Sequence, residues 1–87
     1  MELRGLPNTA DAKECEMFFS VSRMRAILRK GLAATSAGDN GAINVWKDDN
    51  GKWRGESMRF MATQDSRTFA RLKDVEPWVR VWLKEIR

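Results

Sequence analysis

Trp46-Lys47-Asp48-Asp49-Asn50-Gly51-Lys52-Trp53-Arg54 reads as a β-hairpin, and the rest of the chain is arranged around it. Asn-Gly suits a tight turn because both central positions of a type I′ turn require positive φ. Residues Ala42 to Asp48 alternate on the strand side that precedes it. A two-residue loop at Asn50-Gly51 sets Asp49 against Lys52 and Asp48 against Trp53, while a loop from Asp48 to Gly51 sets Trp46 against Trp53. Either length puts Trp46 and Trp53 on one face, continued by Gly55, Ser57 and Arg59. Ile43, Val45, Lys47, Arg54, Glu56, Met58 and Phe60 then fall on the other.

Downstream, Ala62-Thr63-Gln64-Asp65-Ser66 is expected to turn, and Arg67 to Leu72 to form a short third strand anchored by Phe69. Asp74 is placed to cap a last helix, with Pro77 in its first turn. Val75, Trp78, Val79, Trp82, Leu83 and Ile86 make its apolar stripe, and Arg80, Lys84, Glu85 and Arg87 face water.

Upstream, Ala33 to Gly41 is small, polar and glycine-containing, and reads as a linker. Before it, Met17, Val21, Met24, Leu28 and Leu32 recur at helical spacing. Asn8 or Thr9 suits an N-cap, and Asp11 suits the positive end of the helix dipole. Met1 to Asn8 reads as extended, with Leu3 and Leu6 tucked onto the core. A break near Ser20 or Ser22, giving two short helices, is the alternative. The expected fold class is α+β: an N-terminal helix or two short ones, a three-stranded antiparallel sheet and a C-terminal amphipathic helix. At 87 residues this is a single domain, with a helical part at 1–34, a linker at 35–41 and a β-β-β-α part at 42–87.

Composition narrows the chemistry. With no histidine and one cysteine, Cys15, neither zinc, haem nor Cys–His catalysis is expected, and no internal disulfide can form. Asp48-Asp49-Asn50-Gly51 lacks the alternating ligands and distal glutamate of a calcium loop, so it reads as a plain turn. Glycine-rich phosphate loops and nucleophile elbows are absent, so no cofactor, metal or enzymatic activity is expected. No membrane-spanning run or signal-peptide pattern occurs, and a bacterial or phage cytoplasm is the expected setting.

Recognition remains. The net charge is +4, and six basic residues lie between Lys52 and Lys73 against two acids, Glu56 and Asp65. Arg23, Arg25 and Arg29 add a basic stretch upstream, either a solvated helix face or a phosphate-contacting one. Trp46 and Trp53 are either core or backbone-stacking groups.

Ile43-Asn44-Val45-Trp46, Gly51-Lys52-Trp53-Arg54, Thr68-Phe69 and a helix with Val75 and Trp78 follow in an order that resembles the AP2-like fold. In particular, it is similar to the arm-type DNA-binding domain of phage-type tyrosine recombinases. The resemblance covers roughly residues 42–87 and implies a three-stranded sheet set into the DNA major groove. It implies contacts from Lys47, Lys52, Arg54, Arg59 and Arg67. The first expectation is therefore a small DNA-binding protein, with Arg23, Arg25 and Arg29 on phosphates. The second is a small phage or mobile-element protein that binds and inhibits a host protein complex, as anti-CRISPR proteins do. A symmetric homodimer closed by exposed Trp and Met is the third.

Overall fold

In a computed structural model, the structure describes residues 14–87. The elements are β1 (Cys15–Met17), α1 (Val21–Arg29), β2 (Ala33–Gly38), β3 (Gly41–Lys47), β4 (Trp53–Arg59), β5 (Ala62–Phe69) and α2 (Leu72–Glu85). The class is α+β, but the sheet is five-stranded and mixed, not three-stranded and antiparallel. Its order follows the chain, β1-β2-β3-β4-β5, with β1 parallel to β2 and every other pair antiparallel. The extra strands come from two segments read as something else. Met17 belongs to β1, and most of the expected linker is β2 with the tight turn into β3. Small residues conceal that strand because they are what its site demands. Ala34 and Ser36 are buried on the helix side, where bulkier side chains would hold α1 off the sheet, and Ala33 is buried against Trp46 on the other.

The N-terminal helix is the second of the two short helices considered. Ser20 caps α1, its extended backbone leaving Oγ to accept from the Arg23 N–H at 3.2 Å. A Schellman closure ends it: the Gly31 N–H donates to Leu28 and the Leu32 N–H to Ile27, with Gly31 at φ +83°. Val21, Met24, Ile27 and Leu28 are its buried side. The expected caps Asn8 and Thr9, with Asp11 and the extended opening with Leu3 and Leu6, lie outside the described residues.

The hairpin that decides the fold has a third loop length. Lys47 pairs with Trp53 and Trp46 with Arg54, leaving residues 48–52 to turn. Asp48 braces that turn, its Oδ1 accepting from the Asn50 and Lys52 N–H groups at 2.9 Å each, and Gly51 takes φ +79°. The consequence is large, because a one-residue change of register turns a side chain to the opposite face. Trp46 and Trp53 therefore lie on opposite faces. Trp53 joins Ile43, Val45, Gly55 and Ser57 under the helices. Trp46 lies with Arg54 on the far face, beside Ala33 and Cys15.

Both helices cover one face of the sheet, around Phe18, Ile43, Val45, Val75, Trp78 and Val79. Trp78 fixes α2. A Cβ built on Gly55 would lie 2.9 Å from its ring, its Nε1–H donates to Asp65 Oδ2 at 2.9 Å, and Phe69 meets it edge-on at 6.1 Å. Arg25 reaches across from α1 to Glu76 at 2.6 Å, tying the helices together. Helix α2 starts before the expected cap. Arg71 is at the N-cap, and Asp74 turns back to pair with it at 3.1 Å. Pro77 thus falls in the second turn, where its missing N–H frees the carbonyl of the exposed Lys73 to water. Further on, Ile86 is buried against Gly38 and Gly41 at the top of the β2–β3 turn.

The Trp78 indole keeps the Asp65 carboxyl below its ordinary range, with Arg67 adding to the effect. The Arg25 hydrogen bond does the same for Glu76. Both groups bind protons more weakly folded than unfolded. Their contribution is therefore complete above the unfolded carboxylate range, about pH 4, and drains as pH falls through the lower folded values. A D65N/E76Q variant should show a flatter fall of the urea midpoint between about pH 5 and pH 2 than the wild-type chain. Separately, G55A should lower unfolding free energy by about 1–3 kcal/mol, measured by urea titration, because the new methyl displaces the Trp78 ring.

Candidate binding surfaces

The eight cations expected to contact DNA do not assemble on one surface. Arg23 pairs with Glu16 at 3.0 Å and Arg25 with Glu76, so two of the three on α1 are held by carboxylates. Arg29 is exposed at the helix end. Arg54 lies on the face away from the helices with its guanidinium over the Trp46 ring at 5.7 Å. Arg59, on the helix side of the sheet, donates from Nε to the Asn40 carbonyl at 3.1 Å and approaches Glu85 at 3.9 Å. Arg67 bonds Asp65 at 3.2 Å beside Trp78. Arg54, Arg59 and Arg67 are thus divided between the faces, and two of the three adjoin carboxylates. Nor is the middle of the far face an open reading surface. Asn44 and Trp46 on it are buried, at 5% and 2% exposure.

The remaining cations gather by backbone position at one end of the sheet. Lys47 closes β3, Lys52 precedes β4, Arg29 closes α1 just before β2, and Lys73 opens α2 after β5. Lys47 lies over the Trp53 ring at 5.3 Å. Of the acids here, Asp48 is engaged by turn N–H groups and Asp74 by Arg71.

The opposite end carries exposed apolar side chains among charged ones, and nothing in the sequence pattern announces it. Met17 closes β1, Phe19 follows it, and Phe60-Met61 form the β4–β5 turn. Their exposures are 48%, 68%, 83% and 96%. Phe60 and Met61 replace the turn expected at 62–66, and both have positive φ, 52° and 65°. That is the left-handed region, which asparagine and glycine fill readily and a side chain with a bulky Cβ substituent fills at a cost of about 1 kcal/mol or more. Neither glycine nor asparagine marks the corner, so no turn signal falls there. Two large apolar residues at a strained, exposed corner are costly for folding and gain no burial in return. Asp39 and Glu85 share this end with Arg59, so it is not uniformly cationic.

Among the described residues, no group of three or more His, Cys, Asp or Glu is placed to hold a metal, and no helix is long and apolar enough to cross a membrane.

Replacing the corner by the residues its geometry favours, F60N/M61G, should raise unfolding free energy by about 1–2 kcal/mol in urea titration, with the far-UV spectrum unchanged.

No family model, curated protein or solved structure matches this chain.

Proposed function

We propose that this protein is a non-catalytic binding module whose partner is another protein, engaged through the apolar end of the sheet. The observation that carries this reading is the Phe60-Met61 corner, where conformational strain and exposure coincide on two residues suited to filling an apolar pocket. Strain of this kind concentrates at sites of function, and phenylalanine and methionine are enriched where proteins meet. Phe19 and Met17 lie at the same end, on the β1 edge across the sheet from this corner. Arg59, laid over the Phe60 ring at 5.7 Å, and the nearby Asp39 and Glu85 supply a mixed polar rim. Such a rim suits a protein surface better than a phosphate backbone or an anionic bilayer. A host protein complex, inhibited by occupation of one of its pockets, fits this chemistry.

Duplex DNA is the second reading. It is favoured by the opposite end, where Arg29, Lys52 and Lys73 converge near the Asp48-braced loop. On that reading the loop end, not the flat of the sheet, meets phosphates.

Two measurements separate them. Wild-type and F60N/M61G proteins serve as baits in native host cells, and a protein retained by the first and lost by the second is purified and titrated directly. The expected result is a saturable complex weakened about tenfold or more by the corner variant, which is itself more stable. In parallel, random duplex DNA is titrated by anisotropy at about 50 and about 200 mM salt, where no tight, salt-steep binding is expected. DNA binding that collapses with salt and ignores the corner variant would establish the second reading instead.

A further inference from the structure

Strand β5 is an open edge. It has β4 on one side and no described strand on the other, and six of its eight residues are exposed. Edge strands present unpaired N–H and C=O groups, and soluble proteins blunt them with proline, lysine, brevity, bulges or inward-pointing charge. The opposite edge, β1, is blunted by its length of three residues. Strand β5, Ala-Thr-Gln-Asp-Ser-Arg-Thr-Phe, has neither proline nor lysine, and its one irregularity is a β-bulge at Gln64. Its two charges have opposite sign, lie two residues apart on the helix-bearing face and already pair with each other at 3.2 Å.

We propose that β5 is the two-fold interface of a homodimer, pairing antiparallel with β5 of a second copy about Ser66. The charges select that register. Centred on Ser66, Asp65 of each copy faces Arg67 of the other, and the bulge at Gln64 limits the regular ladder to the residues around that centre. Centring on Asp65 would oppose two carboxylates, and centring on Arg67 two guanidinium groups. A shift to odd register would carry the helices of the two copies to opposite faces. The Ser66 register keeps both helix layers on one side of a continuous sheet. Asp65 is preset for the role. Trp78 holds its Oδ2 at 2.9 Å and Arg67 its Oδ1, so the carboxylate is oriented before a second guanidinium arrives. The interface lies along the side of the sheet and leaves the apolar end free, so it is compatible with a separate protein partner there.

Sedimentation equilibrium across the micromolar to sub-millimolar range should show a reversible monomer–dimer equilibrium. R67E sets a second carboxylate against Asp65 across the axis and should weaken the dimer about tenfold or more. Arg67 is largely solvated and outside the core, so the variant folds. Register is read by cross-linking on a C15S background with oxidised glutathione, which takes up the two electrons and protons released by a pair of thiols. S66C should join copy to copy, since residues directly opposite in an antiparallel ladder are about 4.5–5.5 Å apart at Cα, within disulfide reach. T63C lies beyond the bulge at Gln64, away from the two-fold axis, and should not. A wild-type protein that stays monomeric throughout overturns the proposal. So does a dimer indifferent to R67E, or equal cross-linking by S66C and T63C.

Discussion

The helix-bearing half of the molecule depends on the Trp78 ring lying over Gly55. A central strand with a side chain at that position would push the indole away from the sheet by the width of a methyl group. The ring would then lose its hydrogen bond to Asp65 and its edge contact with Phe69 together. These contacts tie α2 to β4 and β5 at one point and orient the helix so that Val75 and Val79 meet Ile43 and Val45. Dispersion and apolar burial supply most of the stabilisation, and the single polar bond gives the ring a direction. The small residue and the large one are complementary: neither position tolerates exchange without the other.

A second constraint comes from Asp48. Its carboxylate gathers two backbone N–H groups and holds the loop at residues 48–52, which decides the parity of β4, while a bulge at Gln64 turns Asp65, Arg67 and Phe69 to the helix face of β5. One residue fewer in the loop would put Trp53 beside Trp46 on the far face and turn Gly55 away from Trp78. The division of Arg54 and Arg59 between faces is thus set by a turn several residues away, and that of Arg67 by the bulge as well. The strand alternation near Arg54 contains the same information only once the loop length is known.

The terminal helix was legible because its stripe of Val75, Trp78, Val79, Trp82, Leu83 and Ile86 has helical period and nothing competes with it. Of the two serines able to cap a second short helix, Ser20 and Ser22, the structure uses Ser20. What stayed hidden has identifiable physical causes. Ala33 to Gly38 has small residues, Ala34 and Ser36, on the side that α1 covers, so the strand looks like a linker. Met17 falls at helical spacing from Val21 by coincidence and belongs to a strand. The Phe60-Met61 corner runs against ordinary turn preference, and the polar Ala62 to Ser66 drew the expected turn two residues downstream. Of the cations, the sequence disclosed the number but not the carboxylates that long-range packing brings to Arg25 and Arg59.

Nearest-neighbour strand order has a kinetic meaning. Four strands, β2 to β5, run as a meander in which each pairs with the one just made, so little loop entropy stands between successive contacts. The Asx-braced corner at residues 48–52 is preorganised and the corner at Phe60-Met61 is not. Zippering should therefore begin at the first, with β5 and the indole-bearing helix arriving afterwards and the short parallel strand β1 closing last. The residues best suited to gripping a partner would then sit at the late-forming corner, where they slow the chain's own assembly least.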